Sequence, residues 1–383
     1  MNKIPLWLFF GFTIAGCTNR APEDHRLSGS SVPGDTTLVK YADGFSMKRQ
    51  ENATLITVSN PWQNASGIQY NYILSDTFSK SVIVDDFTCQ IKTPVSNVVC
   101  LSTTHLGFIA FLNEIPSVSG ISGKSFVVDE MLRSGISQDL IADVGFDENL
   151  NYELLLKIKP DVVFAYGVGM GITNTIRKLN ELGIPVVLIG EYLEEEPLAK
   201  TEWVKVFAAF YDKEEEASAG FDSVAGRYHY LAGLATNVEN NPIVVLGLPW
   251  RGTWYISGSR SYVARMIKDA GGKYIMDHLD FNESRPMSLE EVYKQALSAD
   301  YWLNPGEAAS KTAILSVDER FGKLPCFEED RVFNNNNILN TSGGNAFYES
   351  GVVEPDIILS DLIYILHPQL LPSHTLKYYK KLR

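Results

Sequence analysis

The chain has 383 residues, of which 45% are hydrophobic, and a formal net charge of −13. That is enough apolar material for two packed domains, and the acidic balance argues against nucleic acid as a partner. A single apolar run, at the N-terminus, is long enough to concern a membrane.

That run, Ile4 to Ile14 after Lys3, falls short of the roughly 20 residues a spanning helix needs and has the length of a signal-peptide core. It ends in Ile14-Ala15-Gly16-Cys17, which resembles the bacterial lipobox, where the cysteine is lipidated and becomes the first residue. The expectation is a lipoprotein signal peptide over 1–16, an acylated Cys17, and a flexible tether over 17–36 rich in Ser, Gly, Pro and charge. This pattern places the protein in the cell envelope, periplasmic and held to a membrane by acyl chains.

Residues 37–95 read as a β-rich extension. TLITV, IQYNYIL and SVIVDDF cluster or alternate β-branched and aromatic residues, which predicts an antiparallel sheet with Trp62 as a packing residue. From 96 to 200, strands alternate with helices: NVVCLS, THLGFIAFLN, SVSGIS, DEMLRSG, IADVG, YELLLKIK, PDVVFAYG, TNTIRKLNELG and IPVVLIGEY. That rhythm predicts a parallel sheet covered on both faces, the N-terminal lobe. Residues 201–238 lack proline and repeat apolar residues at three and four along much of their length. A continuous helix there would span about 50 Å, with Gly220, Gly226 and Gly233 as points of interruption. Residues 239–383 repeat the alternation through PIVVLGLP, SYVARMIKDAGG, KYIMDHL, SLEEVYKQALS, ADYWLNPG and RVFNNNNI, and EPDIILSDLIYILHP closes as a helix. The fold class is α/β: two Rossmann-like βα lobes joined by a single long helix, with a β-rich extension ahead of them.

Several motifs fail. SGISGKS ends like a phosphate-binding loop, but Val118 stands where its first glycine belongs. GVGMGI has Ile172 in place of the third glycine of a dinucleotide fingerprint. Both read as tight turns at strand ends. The histidines form no HxH or HExxH, so no metal site is expected, and no GxSxG supports a hydrolase. Cys89, Cys100 and Cys326 have no metal-type spacing; Cys89 and Cys100 are either a disulfide or buried thiols. With no catalytic constellation, the reading is not an enzyme and no cofactor is assigned.

In open α/β sheets, ligands sit beyond the carboxyl ends of strands. There the first lobe offers Thr103, Thr104 and His105 after NVVCL, and Tyr166 after DVVFA. The second offers Trp250, Arg251, Trp254 and Tyr255 within GLPWRGTWYISG, Asn304 to Glu307 after DYWL, and Asn345, Phe347 and Tyr348 in the last loop. Facing each other, the lobes would enclose an aromatic ligand-binding cleft with Arg251 as its main fixed cation. Each aromatic buries about 150–250 Å², which suits a large, semi-polar ligand. Two helix-then-strand units also correspond, NYELLLKIKPDVVF and SLEEVYKQALSADYWL. Asn151 and Ser288 cap their helices, Glu291 completes a capping box, and Glu153 and Glu290 are left exposed, one on each lobe.

The lipobox, the two lobes with a linking helix, and the phrases LLLKIKPDVVFAYG and YVARMIKDAGGKYI together resemble the substrate-binding proteins of ABC importers for cobalamin, ferric siderophores and haem. The likeness covers roughly residues 96–370. It implies a monomeric receptor that captures a metal chelate, a ferric siderophore or cobalamin, and delivers it to an ABC permease in the inner membrane. It also implies that Glu153 and Glu290 dock onto that permease. A single cleft arginine fits a corrinoid or hydroxamate complex better than a strongly anionic catecholate. Haem would need an axial ligand, for which Tyr166, His105 and Met170 are available.

Overall fold

Period-2 burial builds the first part of the molecule. The computed structural model describes residues 39–146 and 149–383; the signal peptide 1–16, Cys17 and the tether 17–36 lie outside the described residues. Strands β1 (Phe45–Gln50), β2 (Ala53–Ser59), β3 (Gln69–Ser75), β4 (Val82–Asp85) and β5 (Thr88–Lys92) form one sheet in the order β1-β2-β3-β5-β4. Ile56 and Val58 of β2 and Tyr70, Tyr72 and Leu74 of β3 are buried on its inner face. The sheet is mixed rather than antiparallel: β3 and β5 run parallel, and the segment between them, which carries β4, makes the crossover that such a pair needs. Trp62 is buried, with its ring 6.3 Å from that of Tyr70.

The N-terminal lobe alternates β6 (Val98–Cys100), α1 (Thr103–Phe111), β7 (Val118–Ile121), α2 (Glu130–Ser137), β8 (Ala142–Asp143), α3 (Tyr152–Ile158), β9 (Val162–Ala165), α4 (Ile172–Glu181) and β10 (Val186–Leu188). The sheet order is β10-β9-β6-β7-β8, with every pairing parallel. Its central strands β6 and β9 are unbroken apolar runs because both faces are covered, and edge strand β10 is likewise buried throughout. The extension joins this lobe where the Tyr72 hydroxyl accepts the N–H of Leu188, at 2.9 Å.

The bridge between lobes comprises α5 (Pro197–Glu202), α6 (Val204–Phe210) and α7 (Glu214–Ala235). It is not continuous, and the breaks do not fall at the glycines. Gly220, Gly226 and Gly233 all lie inside α7; a side chain at Gly220 would press within 2.7 Å of the Phe111 ring. The chain turns instead at Trp203, whose buried indole donates to Glu194 at 2.8 Å, and at Asp212, which is left-handed with φ 55°. The acid triplet Glu214-Glu215-Glu216 then occupies the first turn of α7, where the helix dipole favours it.

The bridge also holds the chain entering the extension. The carboxylate of buried Glu202 accepts the backbone N–H groups of Lys40 (2.9 Å), Tyr41 (2.7 Å) and Ala42 (3.0 Å) and the Lys205 ammonium at 2.6 Å. Glu194 accepts those of Asp43 and Gly44 at 3.2 and 3.0 Å.

The C-terminal lobe runs β11 (Ile243–Leu246), β12 (Thr253–Ser257), α8 (Tyr262–Asp269), β13 (Lys273–Tyr274), β14 (Ser284–Ser288), α9 (Leu289–Ala296), β15 (Tyr301–Leu303), α10 (Lys311–Leu315), α11 (Pro325–Glu328), β16 (Val332–Asn334), α12 (Pro355–Leu366) and β17 (Lys380–Lys381). The main sheet is ordered β13-β11-β15-β16-β17, parallel except for β17. Strands β12 and β14 pair separately as an antiparallel ribbon.

Candidate functional site

Strand order places the site. In the first sheet the chain runs outward from β6 to β7 and β8, then returns to the other side of β6 with β9 and β10. In the second, β11 lies between β13 and β15. At such switch points the loops beyond neighbouring strands part and leave a crevice. On the N-terminal lobe that crevice receives the start of α1, where the Ser102 hydroxyl caps the helix by accepting the Thr104 N–H at 3.2 Å. The C-terminal lobe contributes Gly247 after β11 and Asn304 after β15; Asn304 is left-handed, a conformation Asn tolerates better than most.

Between the lobes lies a cavity of about 280 Å³ lined by Thr104, Lys200, Tyr255, Tyr262 and Phe347. Asn304, Asn335 and Tyr348 belong both to it and to an adjoining compartment of about 720 Å³, which Thr103, Phe126, Glu307, Asn336 and Asn345 also line. The walls are aromatic and carboxamide. The side-chain oxygens of Asn304 and Asn336 are buried with no hydrogen-bond partner among the described residues. Buried polar atoms are rarely left so; both residues line the cavity walls, with these oxygens enclosed. Burial holds the Lys200 ammonium below the usual lysine range, against the opposing field of Glu191.

The structure gathers part of the set expected from the sequence. Thr103, Thr104, Tyr255, Phe347 and Tyr348 line this space. Five residues do not, and are corrected. Trp254 is wholly buried: its indole donates to the Leu246 carbonyl at 2.9 Å and packs on Trp302 and Phe321. TWYIS is itself strand β12, so side chains alternate, with Trp254 and Ile256 inward and Tyr255 outward. His105 is enclosed on the inner side of α1 near Phe207 and Tyr166, and burial drops its pKa to about 3. Trp250 and Arg251 stack on each other at 4.4 Å on an exposed turn, outside the cavity lining; the cation of the cavity is Lys200. Tyr166 lines a separate concavity on the N-terminal lobe with Tyr152 and Gly167, and Met170 is exposed.

Sequence reasoning missed Lys200, Tyr262, Asn335 and Asn336. The asparagines follow β16 and answer to the strand-end rule that selected Asn304, so a signal was present. Lys200 comes from the bridge, where that rule does not reach.

The lobes also touch beside the cavity. Buried Glu349 accepts the N–H groups of Val128 (2.8 Å) and Asp129 (2.7 Å) at the start of α2. The Asn340 amide donates to the carbonyls of Ser125 and Val127 at 2.8 and 2.9 Å. Gly107 of α1 is required there, since a Cβ would stand 2.1 Å from the Glu349 carbonyl oxygen. Burial pushes the Glu349 carboxyl up to about 7 despite its two N–H donors.

Away from the cavity, Asn151 and Ser288 cap α3 and α9 by accepting from Leu154 and Glu291 at 2.9 and 3.2 Å. Glu153 and Glu290 are exposed in those first turns; Glu290 lies 3.6 Å from Arg320. Cys89, Cys100 and Cys326 are free buried thiols, so Cys89 and Cys100 do not form the disulfide left open above.

A family model described as periplasmic binding protein matches residues 98–334. The chain is 29% identical to a Methanocaldococcus jannaschii protein called an uncharacterized lipoprotein, over 90% of this chain and 86% of that one. A possible iron-binding, periplasmic solute-binding protein of Staphylococcus epidermidis superposes with a TM-score of 0.57 at 17% identity, covering 72% of this chain and 100% of that one. The molybdate periplasmic binding protein of a Haemophilus influenzae ABC transporter gives 0.57 at 17% identity, over 77% and 94%. At these identities the two structures speak to fold.

Proposed function

The chain belongs to the periplasmic binding protein family, and from that membership we propose that it is a lipid-anchored receptor that captures a metal chelate, a ferric hydroxamate siderophore or a corrinoid, and delivers it to an ABC permease. The observation that carries the reading is the interlobe cavity with its aromatic and carboxamide walls. Aromatic faces suit the bulk of a chelate, and a wall of asparagine carboxamides suits one whose periphery carries amide groups. One lysine among neutral amides and Glu307 supplies too little positive charge for a multiply anionic complex. A haem reading would need an axial ligand, and His105, one of the three candidates, is enclosed. The receptor performs no chemistry; its work is capture and release.

Glu153 and Glu290, exposed one on each lobe, are the proposed contacts with the permease. Exposed ion pairs contribute only about 0.2–1 kcal/mol each, so they would set orientation rather than tightness.

The test is a fluorescence titration of the protein starting after Cys17 with cyanocobalamin, a ferric trihydroxamate and haemin, with Tyr255→Ala as control. Saturable binding of a hydroxamate or corrinoid, weakened at least tenfold in the variant, is expected. Saturation by haemin alone overturns the ligand class, and no saturation by any of the three overturns the chelate reading. For the docking residues, Glu153→Ala with Glu290→Ala should abolish uptake and leave binding intact; unchanged uptake removes the assignment.

A further inference from the structure

Lys200 sits where a structural lysine has little to do. Most of its neighbours' charges are already committed: Glu202 to Lys205, Glu196 to Arg265, and Glu194 to the Trp203 indole and the N–H of Gly44. The Lys200 ammonium makes no hydrogen bond or ion pair among the described residues; its one close partner is the face of Tyr262, 5.3 Å from the ring centroid. Both residues line the smaller compartment, whereas Glu307 and Asn345 line the adjoining one. Nearby Glu191 is buried, with one carboxylate oxygen unpartnered; its field acts on Lys200, but no hydrogen bond joins the two among the described residues.

A cation held in a low-dielectric cavity over an aromatic ring, with no hydrogen-bonded anion, is a site for an anion brought from outside. The cavity is also asymmetric, with the cation in its smaller compartment and uncharged carboxamides lining much of the larger one.

We propose that Lys200 is the anion anchor of this cleft, and that the ligand is bipartite: an uncharged chelate in the wider compartment and one pendant carboxylate or phosphate on the Lys200 ammonium. The inference rests on the chelate-receptor reading and narrows it to chelates with a single anionic arm. It makes Lys200 a specificity determinant: the arm's charge, rather than the metal, selects the ligand.

Two arms test it, on the protein starting after Cys17, with Lys200→Met and Lys200→Gln checked for unchanged melting temperature. In the first, a ferric trihydroxamate bearing a terminal succinyl carboxylate is compared with its acetyl-capped neutral counterpart, and cyanocobalamin, which carries a phosphodiester, with cobinamide, which lacks it. A charge-assisted hydrogen bond corresponds to roughly tenfold or more. The wild type should therefore prefer one anionic member by at least that factor, the pair identifying carboxylate or phosphate, and both variants should lose the preference while keeping affinity for the neutral member. In the second arm, benzoate and phenyl phosphate are titrated against benzamide in wild type and variants. Binding of either anion that the variants abolish supports the anchor even if no chelate binds, in which case the chelate reading fails and Lys200 stands. An anion preference that survives in both variants, or its absence from the wild type in both arms, overturns the proposal.

Discussion

Replacing Glu202 by alanine should unfasten the β-rich extension from the bridge. The carboxylate is wholly buried and satisfies the ammonium of Lys205, itself 5% exposed, and three backbone N–H groups from residues 40–42. Breaking a buried ion pair by removing one partner costs about 3–5 kcal/mol, and each orphaned buried donor adds about 1–3 kcal/mol. The terms overlap, because the freed segment can turn its N–H groups to water, so about 4–6 kcal/mol is expected. At an unfolding entropy near 2 cal/mol/K per residue, that lowers Tm by about 6–8 °C for a chain of this size. The assay is calorimetry with limited proteolysis ahead of β1. A second variant isolates the backbone contribution. In Glu202→Ala with Lys205→Met the ion pair is removed from both sides, and about 2–3 kcal/mol of loss should remain from the N–H groups alone. If the double variant recovers the wild-type Tm, the ion pair was the whole effect and the anchoring argument is wrong.

Two further outcomes follow from the same geometry. Trp254→Ala should cost about 3–5 kcal/mol of stability as a core deletion, while Tyr255→Ala, one residue along and on the outer face, should leave Tm nearly unchanged and weaken ligand binding; equal Tm losses would refute the inward–outward assignment. Glu349 should make stability pH-dependent. Its folded pKa, about 7, lies above its ordinary 4.5, so its contribution is fully present below about pH 4.5 and lost as pH rises through about 7. The loss is on the order of 3 kcal/mol. Glu349→Gln should flatten the Tm profile between pH 5 and 8, and an unaltered slope would remove Glu349 as its source.

The alternation of strand and helix was legible because each buried parallel strand is a bare apolar run between turn signals, as in PDVVFA and PIVVL. Caps such as Asn151 and Ser288 could be read because capping is local, a side chain bonding a backbone group three residues away. The site was legible only in part, for two reasons. Strand-end reasoning finds residues that leave a sheet, so it reached Thr103, Thr104 and Asn304 and missed Lys200, which arrives from a helix. Aromatic content says nothing about facing: within TWYIS, one tryptophan is core and its tyrosine neighbour is wall, a distinction carried by strand parity. The interruption of the bridge at Asp212 was marked by the acids that follow it, yet the apolar period on either side concealed the break.

The grip of Glu202 and Glu194 on residues 40–44 also has a mechanical meaning. A tug delivered through the N-terminal end meets a row of hydrogen bonds before it reaches any strand, and the largest share falls on the bridge. Drag on the body is then borne at the helical bridge and not at the rim of either lobe. Such a load exerts little leverage on the crevice between the lobes, which lies away from this row of hydrogen bonds.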